Sequence, residues 1–236
     1  MAKRKSAANM TPGEQIAGVV FFVIYLLVLP FVTGPVFRFA GKLLNTTISA
    51  GVQNMVYYYV LFATTIIIFH KFLSRTSRNL LDNISGAVRS VVVGLIALYG
   101  LNELVYRLTN LVMTNRTNLN DTTISAQIED APRTTMLIII LLAPFVEEVL
   151  FRGLVFGNLK SRSRLTAYLV SCLLFALLHV WQFAVVQQDV TYFLLMVQSL
   201  VPGLVLAWAY DHSGTIWAPV SLHALANALS VWTMAG

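Results

Sequence analysis

Charged residues are scarce in this chain. Asp, Glu, Lys and Arg make up only 11% of its 236 residues, whereas a soluble domain usually carries about 25%. Hydrophobic residues make up 57%, against about 45–50% in soluble domains. These proportions exclude a disordered chain, a nucleic-acid-binding tail protein and an ordinary soluble enzyme. The net charge of +6 is therefore not interpreted as a nucleic-acid signal.

Cysteine is almost absent as well. The single residue, Cys172, lies inside an apolar run, so no disulfide can form within the chain. We expect Cys172 to be a small buried packing residue. Neither internal repeats nor low-complexity segments are evident in the sequence.

Long apolar runs dominate what is present. A run of about 20 apolar residues crosses the hydrocarbon core of a bilayer as an α-helix. Seven stretches fit this description, near residues 16–37, 51–72, 88–107, 135–156, 165–186, 192–210 and 215–233. The sequence therefore predicts an all-α, polytopic membrane bundle of about seven transmembrane helices. The first stretch is long for a signal peptide and no clear cleavage site follows it, so we expect it to remain uncleaved.

Basic residues beside alternate stretches predict the orientation in the membrane. Such clusters follow the positive-inside pattern. They comprise Lys3, Arg4 and Lys5, then Lys71, Arg75 and Arg78, and then Lys160, Arg162 and Arg164. We expect the N-terminus inside the cell, and the short loops favour a bacterial cytoplasmic membrane. Seven spans place the C-terminus outside, and a re-entrant last stretch, which Pro219 interrupts, would reverse that side.

A polar stretch divides the chain into two groups of helices. We predict N-terminal membrane helices over residues 1–108, an extracytoplasmic polar loop over 109–134 and a four-helix catalytic core over 135–236. The first group holds few intramembrane charges, whereas the last holds unusual polar residues. We therefore expect the chemistry in the last group.

The fourth stretch carries two adjacent carboxylates, Glu147 and Glu148. A charge at the bilayer centre costs about 2.5–3.5 kcal/mol on insertion scales, so such residues are retained for partners or for function. Glu148 and Arg152 are four residues apart and can pair on one helix face. Glu147 points about 100° away and is left available. Pro144 can kink the helix just before the pair.

Three further polar residues lie on the fifth and seventh stretches, namely His179, His223 and Asn227. Taken alone, a histidine on an apolar helix is more often a packing residue than a catalyst. An asparagine often serves only as a hydrogen bond between helices. His223 and Asn227, however, are four residues apart and share one face. A bundle interior can bring such residues together with the carboxylates from three separate helices.

The combination suits hydrolysis of an amide bond within a membrane. A glutamate beside imidazoles can deprotonate water, and an imidazole with an amide can donate hydrogen bonds to an oxyanion. Glutamate and histidine also suit zinc, so Glu147, His179 and His223 form a candidate set of metal ligands. The His-Glu-x-x-His pattern of soluble zinc proteases is absent.

Three motifs stand in order along the last four predicted helices: Glu147-Glu148-x-x-x-Arg152, Phe175-x-x-x-His179 and His223-x-x-x-Asn227. They resemble the motifs of the CPBP family, the CAAX-protease and bacteriocin-processing enzymes that are also called the Abi family. The segment from Thr215 to Pro219 strengthens the resemblance. It covers roughly residues 143–229, and the first three predicted helices match no family that we can name.

The resemblance implies a glutamate-dependent intramembrane endopeptidase acting on a membrane-associated peptide or protein. Glu147 and His179 would then activate the attacking water, while His223 and Asn227 would stabilise the oxyanion. Prenylated CaaX proteins, leader peptides, pheromones and bacteriocins are the substrate classes that the family implies.

The resemblance also implies roles for the other two motif residues. Glu148 would orient a neighbouring histidine, and Arg152 would hold the local carboxylates. Members of the family are often called metalloproteases, which makes Zn²⁺ an implied cofactor, and the motifs leave its use open.

Two other functions stay open at this point. A non-enzymatic membrane regulator or bacteriocin-immunity protein would bind a partner, such as a sensor kinase, through its helices. A small transporter would use the Glu and His side chains as a proton relay. Inverted repeats and paired discontinuous helices, which are common in transporters, are not visible in the sequence, so the transporter ranks last.

Overall fold

Helices make up the fold in the computed structural model, which describes residues 9–112, 128 and 131–235. No strand occurs in these ranges, and the predicted all-α class is confirmed. The basic cluster of Lys3, Arg4 and Lys5 lies outside the described residues. Most of the predicted polar loop over 109–134 lies outside them too.

Eight helices follow one another in the described ranges. They are α1 (Pro12–Leu43), α2 (Ala50–Asp82), α3 (Ile84–Val112), α4 (Pro132–Lys160), α5 (Arg164–Leu178), α6 (Trp181–Gln187), α7 (Met196–Ser213) and α8 (Trp217–Ala235). Side-chain oxygens of Thr11, Ser49 and Ser163 cap the first turns of α1, α2 and α5. Such caps satisfy N–H groups that have no partner inside the helix.

Five of these helices are long and apolar enough to cross a membrane, namely α1, α2, α3, α4, and α7 together with the turn before it. The bent pair of α5 and α6 makes a sixth when it is taken as one span. We predicted about seven, and the seventh stretch does fold as the helix α8. It is not among the apolar candidates because Ser221, His223 and Asn227 lower its hydropathy.

Two prolines widen the helices that carry them. A π-helical turn at Ile24–Val28 precedes Pro30 in α1, and another at Ile138–Leu142 precedes Pro144 in α4. Proline has no N–H group and its ring crowds the preceding turn, so the helix opens there. A third π-helical turn, Val149–Phe156, follows in α4. Such turns occur frequently at functional sites.

Helix α4 lies at the centre of the bundle. In its most apolar stretch 61% of the residues are buried within the protein, against 22–28% for the other four spanning helices. Helix α7 packs along α3 and α5, and α8 packs along α3, α4 and α7. The buried core is rich in aromatic rings, including Phe69, Phe151, Phe156 and Phe175.

A kink in α2 joins it to the start of α1. Phe69 leaves the helical conformation, with φ −103° and ψ 20°. Close by, the Phe72 N–H donates a 2.7 Å hydrogen bond to Oε1 of the buried Glu14. Helix α1 can approach α2 closely at Gly18 because glycine has no Cβ. A Cβ at that position would stand 2.7 Å from the Phe69 ring. The first two helices are therefore fixed to each other by polar and steric contacts.

Hydrogen bonds from α2 also fix the start of α8. The Thr215 hydroxyl donates to the Thr76 carbonyl at 2.9 Å, and the Ile216 N–H donates to the Thr76 hydroxyl at 2.7 Å. The Asn79 amide donates to the Gly214 carbonyl at 3.1 Å. Gly214 has φ 72°, a left-handed conformation that glycine adopts readily. These contacts set the direction in which α8 leaves the turn.

One end of the bundle gathers basic side chains, and we call it the basic end. Arg164 donates to Oδ2 of Asp211 from Nε at 2.7 Å, and Lys160 lies 2.5 Å from Oδ1 of the same carboxylate. Ser90 and His212 share a 3.1 Å hydrogen bond nearby. The basic residues in or next to these segments are Arg75 and Arg78 at the end of α2, Arg89 beside Ser90, and Lys160, Arg162 and Arg164 around the α4–α5 junction.

Candidate active site

The ion pair predicted within the fourth span is present. Nη1 of Arg152 donates to Oε1 of Glu148 at 3.0 Å, and both side chains are fully buried. Nη2 of Arg152 donates to the Gly203 carbonyl of α7 at 2.9 Å. A buried charge is expensive unless it is paired and hydrogen-bonded. These contacts hold the guanidinium between α4 and α7.

Glu148 also holds a histidine from another helix. Nδ1 of His223 lies 2.9 Å from Oε1 of Glu148. Because the carboxylate is paired with Arg152 and accepts hydrogen bonds, Nδ1 of His223 is the donor. Oε2 of Glu148 is buried without a hydrogen-bond partner among the described residues. The carboxylate therefore links α4 to α8 and fixes the orientation of the imidazole.

The Phe175 ring packs against three of the predicted site residues. The guanidinium of Arg152 lies 4.3 Å from the centroid of that ring, a cation–π contact. The ring of His179 lies 4.7 Å and that of His223 5.9 Å from it, measured between centroids. A single aromatic ring is thus in contact with all three side chains.

His179 lies where the fifth predicted span breaks. The sequence predicts one span over 165–186, but α5 ends at Leu178 and α6 leaves it at 41°. Nδ1 of His179 donates to the Phe175 carbonyl at 2.8 Å, because a carbonyl can only accept. The other ring nitrogen, Nε2, remains for a ligand or a proton. Carbonyls at a helix end have no partner inside the helix, which explains this bond.

Glu147 and His179 line the same cavity, which has a volume of about 370 Å³. Glu147 is half-buried, unlike the fully buried Glu148 beside it. Residues of three regions complete the lining: Tyr25, Leu29, Pro30 and Thr33 of α1, Asn54, Tyr57 and Tyr58 of α2, and Leu178, Gln182 and Phe183 around the α5–α6 bend. The carboxylate and the imidazole that were predicted to act on water therefore line one cavity.

His179 also lines a second, smaller cavity of about 160 Å³. His223 and Asn227 line it from α8. Nδ2 of Asn227 donates to the Ile139 carbonyl at 2.9 Å, within the π-helical turn of α4. One N–H of the Asn227 amide is thus used between helices, and the amide carries a second one. Four of the six predicted site residues face these two cavities, while Glu148 and Arg152 lie buried behind them.

Sequence reasoning missed the contribution of the first two helices. It placed the chemistry in the last four helices, yet Tyr25, Asn54, Tyr57 and Tyr58 line the cavity that holds Glu147. Asn54, Tyr57 and Tyr58 are spaced i, i+3 and i+4, which puts them on one helix face. A polar stripe at that spacing on an apolar helix is the signal that could have revealed them.

The predicted metal-ligand set is not gathered in this structure. Among the described residues, no group of three His, Cys, Asp or Glu side chains is close enough to hold a metal ion. Nδ1 of His223 donates to Glu148 and Nδ1 of His179 donates to a carbonyl, which leaves Nε2 of each ring available, as in histidines that bind metals. Zinc stays an expectation of the resemblance, and no step below depends on a metal.

Comparison with known proteins agrees with the resemblance in the motifs. Residues 130–229 match the family described as "Type II CAAX prenyl endopeptidase Rce1-like". The matched segment contains α4 to almost the end of α8, including all six predicted site residues, and leaves α1, α2 and α3 outside. No curated protein and no solved structure matches the chain.

Proposed function

Because residues 130–229 match the family of type II CAAX prenyl endopeptidases, we propose a specific intramembrane reaction for this chain. It hydrolyses a peptide bond of a membrane-associated protein or peptide. The observation that carries this proposal is the position of His179, which lines both the cavity of Glu147 and that of His223 and Asn227. A peptide carbonyl beside His179 meets a base on one side and hydrogen-bond donors on the other.

Glu147 and His179 activate the attacking water. Nδ1–H of His179 is occupied by the Phe175 carbonyl, so Nε2 is the atom that accepts a hydrogen bond from water. Glu147 takes the proton of the water as its oxygen attacks the carbonyl carbon. The same proton then passes to the nitrogen of the leaving amine as the C–N bond breaks. General acid–base catalysis of this kind contributes about 10²–10⁴-fold.

His223 and Asn227 stabilise the oxyanion that forms on the attacked carbonyl. His223 donates from Nδ1 to Glu148, so a second donation, from Nε2 to the oxyanion, requires a proton on that nitrogen. The oxyanion supplies the negative charge that faces this proton, because Glu148 is already paired with Arg152. The second N–H of Asn227 adds a neutral donor. Loss of one such donor typically lowers kcat by about 10²–10³-fold. Arg152 acts behind the site by holding Glu148 in place.

A comparison of peptide termini tests the proteolytic function without a guess about the substrate. Membranes are prepared from cells that express wild type, Glu147→Gln or Glu103→Gln at matched levels. Glu103 is an exposed carboxylate that pairs with Arg107 on α3, so it is a matched control. We expect a set of termini shared by wild type and Glu103→Gln and missing from Glu147→Gln.

The opposite result identifies the alternative. Identical termini in all three membranes, with a biological phenotype that Glu147→Gln still supports, contradict proteolysis. They favour the non-enzymatic regulator, whose partner, such as a sensor kinase, would then be sought by cross-linking.

We also propose that the basic end of the bundle faces the cytoplasm. The predicted inside clusters that the structure describes, at the end of α2 and around the α4–α5 junction, lie together there. Lys and Arg are enriched in cytoplasmic loops of membrane proteins. This orientation supports the prediction of an N-terminus inside the cell.

A further inference from the structure

The cavity of Glu147 has one wall that comes from outside the matched family segment. Tyr25 of α1 and Asn54, Tyr57 and Tyr58 of α2 form this wall, and both helices precede residue 130. Catalytic groups and this wall therefore come from different parts of the chain.

Local geometry holds the wall in place. Tyr25 is buried in the π-helical turn that precedes Pro30, and its neighbours Leu29 and Thr33 face the same cavity one and two turns later. On α2 the rings of Tyr57 and Tyr58 pack edge to face with centroids 5.1 Å apart. Offset or edge-to-face aromatic pairs are favourable arrangements. The wall is thus a preformed surface.

Three polar groups of this wall have no hydrogen-bond partner in the described part of the chain. Neither the hydroxyls of Tyr57 and Tyr58 nor the amide of Asn54 has a hydrogen-bond partner among the described residues. They are not among the completely enclosed, unpartnered polar atoms either, so the cavity reaches them. Three hydrogen-bonding groups on one helix face are available to a molecule that enters beside Glu147.

A peptide that is cut inside a membrane needs such groups. Its scissile carbonyl is shielded as long as the segment is an intact helix, so the segment must unwind before water can attack. Unwinding exposes N–H and C=O groups, and each one left unsatisfied away from water costs several kcal/mol. Groups on the protein that replace the lost helical hydrogen bonds reduce this cost.

We propose that Asn54 and Tyr57 bind the backbone of an unwound substrate segment beside the scissile bond. This inference rests on the proteolytic function proposed above. Within the described lining of this cavity, Glu147 is the only Asp, Glu, Lys or Arg side chain. A carboxylate on the substrate next to the scissile bond is therefore repelled by Glu147, and no cation is present to offset it. The substrate class is an extended segment with non-acidic residues beside the cleaved bond.

The experiment uses the full chain reconstituted in liposomes with a single-span reporter that carries a randomised seven-residue segment. Mass spectrometry of the products identifies the cleaved sequences, and the best one supplies KM and kcat. The test variants are Tyr57→Phe, which removes only the hydroxyl, and Asn54→Leu, which removes the amide. The matched control is Tyr59→Phe, because Tyr59 lies on the same helix but is 47% exposed and outside the cavity.

We expect Tyr57→Phe and Asn54→Leu each to raise KM by about fivefold to tenfold, the usual worth of one hydrogen bond. We expect kcat to stay within about twofold, since the proposal assigns both groups to the substrate backbone and not to the water that Glu147 activates. Asp and Glu should be depleted next to the cleaved bond in the wild-type products. Tyr59→Phe should match wild type in both constants, whereas loss of folding would lower kcat without a selective rise in KM.

Two outcomes overturn the inference and are distinguishable from each other. If wild type cleaves the reporter but Tyr57→Phe and Asn54→Leu keep the KM of Tyr59→Phe, this wall does not bind the substrate while the proteolytic function stands. If wild-type products equal those of Glu147→Gln, the proteolytic function itself fails and the inference falls with it.

Discussion

Glu148 carries two tasks at the scale of a single residue. Its Oε1 atom accepts hydrogen bonds from Arg152 and from His223, so it both neutralises a buried cation and orients an imidazole. Mutations can separate these two roles. Pairing with the buried cation involves only Arg152, and orientation of the imidazole involves only His223.

Glu148→Gln should lower the free energy of unfolding by about 3–5 kcal/mol, because it leaves the Arg152 charge buried without its partner. Unfolding of the purified chain in mixed micelles measures this change. The exposed variant Glu103→Gln is the control and should change stability by less than about 0.5 kcal/mol.

Adding Arg152→Met to Glu148→Gln should restore most of the stability, since it removes the buried cation that the first substitution leaves without a partner. Proteolysis should stay lost, because His223 has still lost its carboxylate. Recovery of full activity in the double variant would contradict the orienting role of Glu148.

His179→Asn tests the second imidazole. The asparagine amide can reproduce the hydrogen bond from Nδ1 to the Phe175 carbonyl but has no atom at the position of Nε2. We expect a loss of kcat of about 10²–10⁴-fold with little change in the thermal midpoint. If the reporter is cleaved at the wild-type rate, His179 does not act on water.

The sequence was informative at this scale only where partners share a helix. The Glu148–Arg152 pair follows from a spacing of four residues. The His223–Glu148 hydrogen bond joins residues 75 positions apart, and no local pattern determines which carboxylate meets which histidine. The role of Tyr57 and Asn54 was missed for the same reason. Their spacing places them on one helix face, but it does not show that this face lines the cavity of Glu147.

Helix α4 shows how an element can be prepared for chemistry. Pro144 follows a π-helical turn, and Asn227 of α8 donates to the Ile139 carbonyl inside that turn. The wider turn rotates the part of the helix that carries Glu147 relative to the part before it. Sequence alone indicated a kink near Pro144 but not the extra backbone carbonyl offered to Asn227.

Pro144→Ala should allow the turn to close into an ordinary α-helix. We expect stability to be unchanged or higher, and kcat to fall by at least about tenfold, because misplaced reacting groups lose rate steeply. The reporter assay in liposomes gives kcat, and micelle unfolding gives stability. Pro35→Ala, at an exposed proline inside α1, is the control, and an equal loss in both variants would exclude the role of this turn.

The number of spanning helices was predicted less well than their positions. Each of the seven predicted stretches falls on a helix, but the fifth breaks at His179 and the seventh is polar for a span. Both differences from the prediction have the same cause. Polar residues that interrupt these two apolar stretches line the two cavities.

At the scale of the whole molecule, the basic end predicts a labelling pattern. Cys172 is buried, so single cysteines can be added with little background from the native thiol. Thr47→Cys lies in the α1–α2 turn at the other end of α2, and Arg162→Cys lies at the basic end; both positions are exposed. In intact cells we expect an impermeant maleimide to label Thr47→Cys, and to label Arg162→Cys only after permeabilisation. The reverse pattern would invert the proposed orientation.

The contact between Glu14 and Phe72 has a consequence for how the chain is made. The carboxylate of Glu14 has its distant backbone partner 58 residues later in the chain, so that partner is synthesised after the whole of α1. Until then α1 holds a carboxylate that favours an aqueous boundary. Completion of α2 is what allows the two helices to settle together. Since α1 and α2 precede all six predicted site residues in the chain, this contact is available before the helices that carry those residues are synthesised.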